Sequence, residues 1–230
     1  MMRKALLLLF TAGALFLAAP SFAQVPHENL CGFLGFDYVT NGSSTAVPYI
    51  VAGSQYRAVG FVTSFNTTLF PSGTLLPGAE HTFYLEAVAG STTWDGTNLL
   101  VYFADHARIR LYEDPANNGD YGTNPVNATS PSSFTDGTLV LGADVNQLTL
   151  FYDYSISSGF FDGTATLDEG SDLGYIAPAR RGGWIMSGHA GPPNPSIPVG
   201  YANQMSGQID IPGATPVAHK SWGALKALYR

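Results

Sequence analysis

The part of the chain that most restricts its fold is residues 134–167. It consists of strand-length runs rich in β-branched and aromatic residues, separated by turn residues, which is the pattern of an antiparallel meander. In one run the even-numbered residues from Leu148 to Tyr154 are apolar or aromatic, and they fall on one face because side chains alternate along a strand. A polar turn is predicted just before this run, at residues 144–147.

The tripeptide Asp-Gly-Thr occurs three times, at residues 95–97, 136–138 and 162–164, each shortly after an aromatic residue. We interpret each copy as a turn that begins a strand, because Asp bonds to nearby backbone and Gly accepts a positive φ. Successive copies are 41 and 26 residues apart. This unequal spacing disfavours a solenoid or a propeller built from equal repeats.

Glycine and proline interrupt the whole chain, with 26 Gly and 15 Pro among 230 residues. They supply frequent turns, and no helical period of useful length occurs before residue 220. Many short strands joined by frequent turns are typical of β-sandwiches. The sequence therefore predicts an all-β fold, an antiparallel β-sandwich of jelly-roll-like arrangement, formed by residues 24–211.

The N-terminal segment, residues 1–23, has the features of a secretory signal peptide. Arg3 and Lys4 form a basic start, an almost entirely apolar run follows, and small residues occupy the positions before a cleavage site. The alternative is a single membrane anchor, but the apolar run is short for a span. We predict a mature chain that begins at Gln24 and has no membrane span. Its expected location is extracellular or on the cell surface, with the periplasm as the alternative.

The mature chain would carry 8 basic and 17 acidic residues, a net charge of −9. Such acidity disfavours nucleic acid and anionic membrane surfaces as partners. An extracellular polysaccharide or a surface protein is the expected partner. The single cysteine, Cys31, excludes an intramolecular disulfide. We interpret it as a small buried hydrophobe, with a reactive thiol as the alternative.

Acidic and amide side chains cluster in residues 113–120. Their oxygens are the ligands that Ca²⁺ prefers, and exported proteins often use such loops to stiffen themselves. The same residue types also form ordinary turns, and the spacing does not match an EF-hand. The candidate Ca²⁺ ligands are Glu113, Asp114, Asn117, Asn118 and Asp120.

The chain is rich in aromatic residues, with 12 Tyr, 14 Phe and 3 Trp. Aromatic rings that face solvent can stack on sugar rings, which makes a carbohydrate-binding module an alternative function. Trp94, Tyr121 and Trp184 lie near predicted turns and are the candidate sugar-binding residues. The competing interpretation is that these rings pack in the core, as most aromatic residues do.

Motifs of catalytic sites are scarce. Neither Gly-x-Ser-x-Gly nor His-Glu-x-x-His occurs, and Glu80 and His81 point to opposite faces because they are adjacent on a predicted strand. A pair of carboxylates brought together by the fold would still permit a secreted hydrolase. We therefore predict a secreted, non-enzymatic protein of the cell surface or extracellular matrix. A carbohydrate-binding module is the second hypothesis and a hydrolase the third.

The end of the chain differs from the rest. A linker with Pro and Gly, residues 212–220, is followed by a segment in which apolar residues recur at helical spacing. This segment, residues 221–230, resembles the short Trp-Gly…Leu-Lys…Tyr-Arg tails of otherwise unrelated secreted proteins of some uncultured bacteria, and the resemblance implies a sorting or surface-retention signal. A short amphipathic helix docked on the domain is the alternative. The residues that carry the resemblance are Trp222, Leu225, Lys226, Tyr229 and Arg230.

Overall fold

The structure is a computed structural model that describes residues 28–66, 69–70, 75, 77–122, 132–191 and 197–211. The predicted signal peptide (residues 1–23), linker (212–220) and C-terminal tail (221–230) lie outside the described residues. Within the described part of the chain, no helix is both long and apolar enough to cross a membrane.

The described residues form nine β-strands and three short 3₁₀ segments. Alternation of apolar or aromatic residues with polar ones favours these strands, because one face of each is buried. The strands are β1 (Glu28–Val39), β2 (Gln55–Phe65), β3 (Glu80–Trp94), β4 (Asn98–Phe103), β5 (Ala107–Asp114), β6 (Thr138–Asp153), β7 (Ser158–Glu169), β8 (Trp184–Gly191) and β9 (Gln204–Ile211). The 3₁₀ segments are Ser132–Phe134, Ser171–Tyr175 and Pro178–Arg180.

The strands close into an antiparallel barrel. Consecutive strands pair with each other except β4 and β5, and β9 pairs back with β1, for example Gly35 with Met205. Both β4 and β5 pair with β3 on one side and with β6 on the other, so they lie end to end at one place in the wall. The barrel therefore has eight strand positions, with β4 as an extra strand.

The all-β class is confirmed, but the predicted β-sandwich is wrong. In a sandwich and in a barrel alike, each strand has one apolar and one polar face. The alternation in the sequence therefore does not distinguish the two architectures. Pairing of the first strand with the last distinguishes them, and strands so far apart in the chain leave no local sequence pattern of their pairing.

Strand β6 corrects a second prediction. The turn expected at residues 144–147 does not form, and β6 continues through them. A register shift and a φ of 55° at Gln147 mark a β-bulge, which takes up an extra residue without reversing the strand. The alternation predicted after it is confirmed, because Leu148, Leu150 and Tyr152 are buried in the core.

Side chains fill the interior of the barrel. The ring centroid of Phe33 lies 4.9 Å from that of Phe83 and 6.2 Å from that of Phe161. Glycine makes room for these rings, since a Cβ at Gly207 would lie 2.6 Å from the Phe33 Cζ. Such alternation of large and small residues closes the interior of a small barrel. Cys31 is also fully buried, and burial raises the pKa of its thiol to about 12.

A second apolar cluster lies outside the barrel, on the wall formed by β1, β2, β3 and β5. Tyr38 and Tyr84 point outward there and are nevertheless buried. They are covered by Tyr121, Phe134 and Tyr201, which come from the segments that connect the strands. On the opposite wall, formed by β6, β7, β8 and β9, many outward side chains of the described residues are exposed. That wall carries the candidate binding site.

Candidate functional site

A fully buried carboxylate lies inside one end of the barrel. Asp37 accepts hydrogen bonds from the hydroxyls of Tyr49 (2.6 Å) and Tyr56 (3.1 Å) and from the backbone N–H of Asn203 (2.7 Å). The closure of β1 onto β9 brings these groups together from distant parts of the chain. All four residues are at most 4% exposed, so a ligand in solvent does not reach them in this conformation.

Burial raises the pKa of Asp37 to about 6, although the hydrogen bonds from Tyr49 and Asn203 act in the opposite direction. A carboxyl that titrates in this range is suited to acid–base catalysis. Its donors, however, are groups of the protein itself, and Ile50 is buried in the core beside Tyr49. In this conformation the cluster fastens the β1–β2 connection and the start of β9 to β1.

A second buried polar pair lies at the other end of the barrel. His81 Nε2 lies 3.1 Å from Glu113 Oε2, because the two residues are opposite each other on β3 and β5. The ring of Phe65 packs against the imidazole with a centroid distance of 5.2 Å. The sequence excluded pairing of His81 with its neighbour Glu80. It did not reveal Glu113 as the partner, because that requires the register of two strands.

Outward residues of five neighbouring strands form a continuous row on the exposed wall. In register order from β6 to β1, they are Phe151, Phe160, His189, Ser206 and Leu34, and we call this set the outer row. The Phe160 side chain is 56% exposed. The rings of Phe151 and Phe160 have centroids 5.3 Å apart and planes inclined by 31°. One end of the outer row is therefore an exposed aromatic surface.

A groove of about 550 Å³ continues the outer row over β8, β9, β1 and β2. The side chains on its outer surface are Leu34, Thr63, Ser187, His189, Ser206 and Gln208. We call it the neutral groove, because no Asp, Glu, Lys or Arg lines it. The hydroxyls of Thr63, Ser187 and Ser206 make no hydrogen bond with the residues that the structure describes. His189 Nε2 lies 2.8 Å from the Ser158 Oγ.

A second groove, of about 320 Å³, lies outside β2, β3 and β5, and we call it the charged groove. Arg57, Glu86 and Arg108 are among its lining residues. Arg108 donates to both carboxylate oxygens of Asp168, at 2.6 and 2.8 Å, and to Glu169 at 2.6 Å. The Arg108 guanidinium also lowers the pKa of Glu169, because a nearby cation favours the ionised carboxylate. The charge of Arg108 is thus neutralised within the protein.

The three aromatic residues predicted to bind sugar, Trp94, Tyr121 and Trp184, lie in three separate places. Trp184 is fully buried, and its indole N–H donates to a backbone carbonyl at 2.7 Å. Trp94 packs on a neighbouring tyrosine with a centroid distance of 5.0 Å. Tyr121 belongs to the apolar cluster outside the barrel. The competing interpretation, that these rings pack against other side chains, describes all three.

The side chains of most residues predicted to bind Ca²⁺ contact other groups of the protein. Asp114 accepts the backbone N–H of Ala116, and Asp120 accepts that of Gly122. Glu113 contacts His81, and the Asn118 amide donates to Asp136. Asn117 has a backbone φ of 52°, which is typical of a turn residue. Among the described residues, no three His, Cys, Asp or Glu side chains are placed to hold a metal ion. One buried oxygen, Oδ2 of Asp114, has no hydrogen-bond partner within that part of the chain. Calcium binding stays a prediction.

Comparisons of this chain with protein-family models, with curated proteins and with solved structures find no match. Its function is therefore argued from its own geometry. The sequence contained a partial signal for the outer row, since the alternation that puts Leu150 inside puts Phe151 outside. It did not show that Phe160 and His189 stand beside Phe151, because that follows from the pairing of β6, β7 and β8.

Proposed function

We propose that this protein is secreted and acts without catalysis, at the cell surface or in the extracellular matrix, by binding a partner on the outside of its barrel. The signal-peptide features of residues 1–23 support export. The observation that carries the non-enzymatic proposal is the environment of Asp37. Burial raises the pKa of its carboxyl to about 6, in a range suited to acid–base catalysis, yet the residue is 0% exposed and bonded to other residues of the protein.

A catalytic acid or base has to come within hydrogen-bonding distance of its substrate. Tyr49 and Tyr56 occupy that distance around Asp37. At the other end of the barrel, His81 and Glu113 occupy it for each other. Three phenylalanine rings fill the space between the two ends. Chemistry inside the barrel would require the β1–β2 connection to move away from Asp37.

A secreted hydrolase, the third hypothesis from the sequence, is favoured by one observation. The pKa of Asp37, about 6, lies where a carboxyl can exchange a proton at the pH of many environments. This candidate predicts that the protein releases product from a polymer and that Asp37→Asn abolishes the release. The proposed function predicts no release in either protein.

Export is tested on protein from the native host. Mass spectrometry of the medium, the surface fraction and the periplasm should find a mature chain that begins at Gln24, in the medium or on the surface. A chain that keeps Met1, or one that carries a lipid on Cys31, would contradict the proposed export. Deletion of residues 214–230 should release a surface-bound chain if the C-terminal tail is a retention signal.

Catalysis is tested on the purified mature chain. It is incubated with polysaccharides and proteins of the host surface, and soluble products are measured over several hours. We expect the protein to be retained on this material without forming product. Product formation that a folded Asp37→Asn variant loses would identify the protein as an enzyme.

A further inference from the structure

We propose that the outer row and the neutral groove together form a binding site for an uncharged polysaccharide. The inference rests on the proposed non-enzymatic function and adds a site and a class of ligand to it. Three properties of the described residues support it: an exposed aromatic pair, hydroxyls without partners, and a groove lining that contains no Asp, Glu, Lys or Arg.

The aromatic pair provides a surface on which sugar rings can stack. A sugar ring presents C–H groups on its faces, and these pack well against aromatic rings. Phe160 is 56% exposed, and its ring is inclined by only 31° to that of Phe151. Tyr102 is 50% exposed and stands one strand away on β4, opposite Thr149. Tyr102 therefore adds a separate exposed ring near the outer row, next to the pair on β6 and β7.

The neutral groove provides hydrogen bonds next to this surface. Thr63, Ser187 and Ser206 each carry a hydroxyl that can donate and accept, as the hydroxyls of sugars do. None of these three hydroxyls has a partner among the described residues. Gln208 adds an amide, whose Nε2 donates to Asp210 at 2.9 Å and whose oxygen can accept from a ligand. His189 joins the groove to the aromatic pair because it stands opposite Phe160. Stacking and hydrogen bonding are thus available side by side.

The charge distribution selects the class of polymer. No Asp, Glu, Lys or Arg lines the neutral groove, and the exposed Asp162 stands opposite its residue Ser187, so an anionic group of a ligand would lose water there without gaining a counter-ion. The net charge of −9 for the mature chain also repels anionic polymers at a distance. An uncharged polysaccharide meets neither penalty.

The length of the site favours a polymer over a single sugar. The outer row crosses five strands, and four spacings between neighbouring strands amount to roughly 19 Å along the wall. A single sugar would reach either the aromatic pair or the hydroxyls of the neutral groove. A chain of several sugars can cover both.

The test measures binding of the purified mature chain to soluble polymers by affinity electrophoresis and calorimetry. The uncharged probes are hydroxyethyl cellulose, soluble starch and galactomannan, and the anionic probe is polygalacturonate. We expect binding to at least one uncharged probe and none to polygalacturonate at physiological salt. Phe160→Ala should weaken that binding about tenfold, and Gln208→Ala about threefold. Phe160→Ala should keep the melting temperature of the wild type, because its side chain is exposed on the outer surface. Gln208→Ala also removes the hydrogen bond from Gln208 Nε2 to the buried Asp210, so its affinity is compared at a temperature where calorimetry shows the variant folded.

Tyr175→Ala is the matched control. It removes a ring that is 52% exposed but lies outside the outer row and the neutral groove, so affinity should not change. The inference is overturned if no uncharged probe binds, if polygalacturonate binds in preference, or if Phe160→Ala and Gln208→Ala bind as the wild type does. Turnover of a bound polymer by the wild type would instead contradict the proposed function and leave the site intact.

Discussion

The buried cluster around Asp37 and the neutral groove contain the same kinds of polar groups in opposite situations. Inside the barrel, the Asp37 carboxylate is surrounded by two tyrosine hydroxyls and an asparagine, and all of them are bonded to it. On the outside, Ser187 and Ser206 carry hydroxyls that have no partner within the described part of the chain. The polar groups around Asp37 are bonded to each other in the folded protein. The hydroxyls of Ser187 and Ser206 can form hydrogen bonds with a ligand.

Because of this difference, we expect the Asp37 cluster to contribute to the stability of the fold and the neutral groove to contribute to ligand binding. A buried polar group costs free energy unless a partner satisfies it, whereas an exposed hydroxyl is satisfied by water until a ligand replaces the water. Substitutions at Asp37 should therefore change the free energy of unfolding without changing the affinity of the folded protein. Substitutions in the neutral groove should do the reverse.

The largest expected effect follows from Asp37→Ala. The substitution leaves the Tyr49 hydroxyl and the backbone N–H of Asn203 buried without the acceptor they have now, and each such group costs about 1–3 kcal/mol. The Tyr56 hydroxyl keeps only the weak acceptor Met205 Sδ, at 3.0 Å. We expect the free energy of unfolding in urea to fall by about 3–5 kcal/mol. Asp162→Ala is the control, because the Asp162 side chain is exposed on β7 and its loss should cost about 0.5 kcal/mol or less. Equal losses in the two variants would contradict the contrast.

The pH dependence of stability gives the next largest effect. In the folded chain Asp37 keeps its proton up to about pH 6, whereas in the unfolded chain it loses it near the usual 3.8. Its stabilising contribution is therefore fully present below about pH 4 and is lost as the pH rises to about 6. Since the shift is about two pKa units, the loss is on the order of 2–3 kcal/mol.

The measurement compares the wild type with Asp37→Asn at a series of pH values. Other carboxyls act in the opposite sense, because the pKa values of Asp144 and Glu169 are lowered in the folded chain, and the comparison cancels their effect. The stability of the wild type relative to Asp37→Asn should fall between about pH 4 and pH 7. A constant difference across this range would show that Asp37 titrates as it does in the unfolded chain.

The sequence predicts features that depend on residues close together in the chain, and it does not predict features that depend on residues far apart in the chain. The alternation of Leu148, Leu150 and Tyr152 is local, and it was predicted correctly. Closure of the barrel depends on the pairing of β1 with β9, and these strands are far apart in the amino-acid sequence. The barrel architecture was therefore not predicted. Trp184 lies near a turn in the sequence and was therefore expected to be exposed. It is fully buried, because the folded barrel packs other residues around it.

The candidate site was missed for a related reason. The outer row joins residues from five strands, and none of its members has a neighbour in the row within the same strand. Alternation identifies Phe151 as an outward residue, but the ring beside it is defined by the pairing of β6 with β7. A site of this kind has no spacing motif in the sequence.

The charged groove allows a smaller test of the comparison, because Arg108 in its lining forms ion pairs and Arg57 forms none with the described residues. Arg108→Ala removes ion pairs to Asp168 and Glu169, which are partly exposed, and should lower the free energy of unfolding by about 1 kcal/mol. Arg57→Ala is the control, because the Arg57 guanidinium forms no ion pair with the residues that the structure describes, and it should cost less. The difference between the variants should shrink in 1 M salt, where exposed charges are screened. Polysaccharide affinity should be unchanged in both.

The smallest expected effect concerns Ca²⁺ at residues 113–120. Most of the candidate ligands already bond to near neighbours, but Oδ2 of Asp114 is buried without a hydrogen-bond partner among the described residues. If this oxygen contacts Ca²⁺ in the native state alone, the melting temperature should rise with the Ca²⁺ concentration by mass action. With one such oxygen we expect a rise of only about 1–2 °C in millimolar Ca²⁺, which corresponds to about 0.5 kcal/mol. Asp114→Asn should abolish the rise and Asp162→Asn should not. Identical melting curves in chelator and in Ca²⁺ would show that residues 113–120 do not bind Ca²⁺ and are ordinary turn residues.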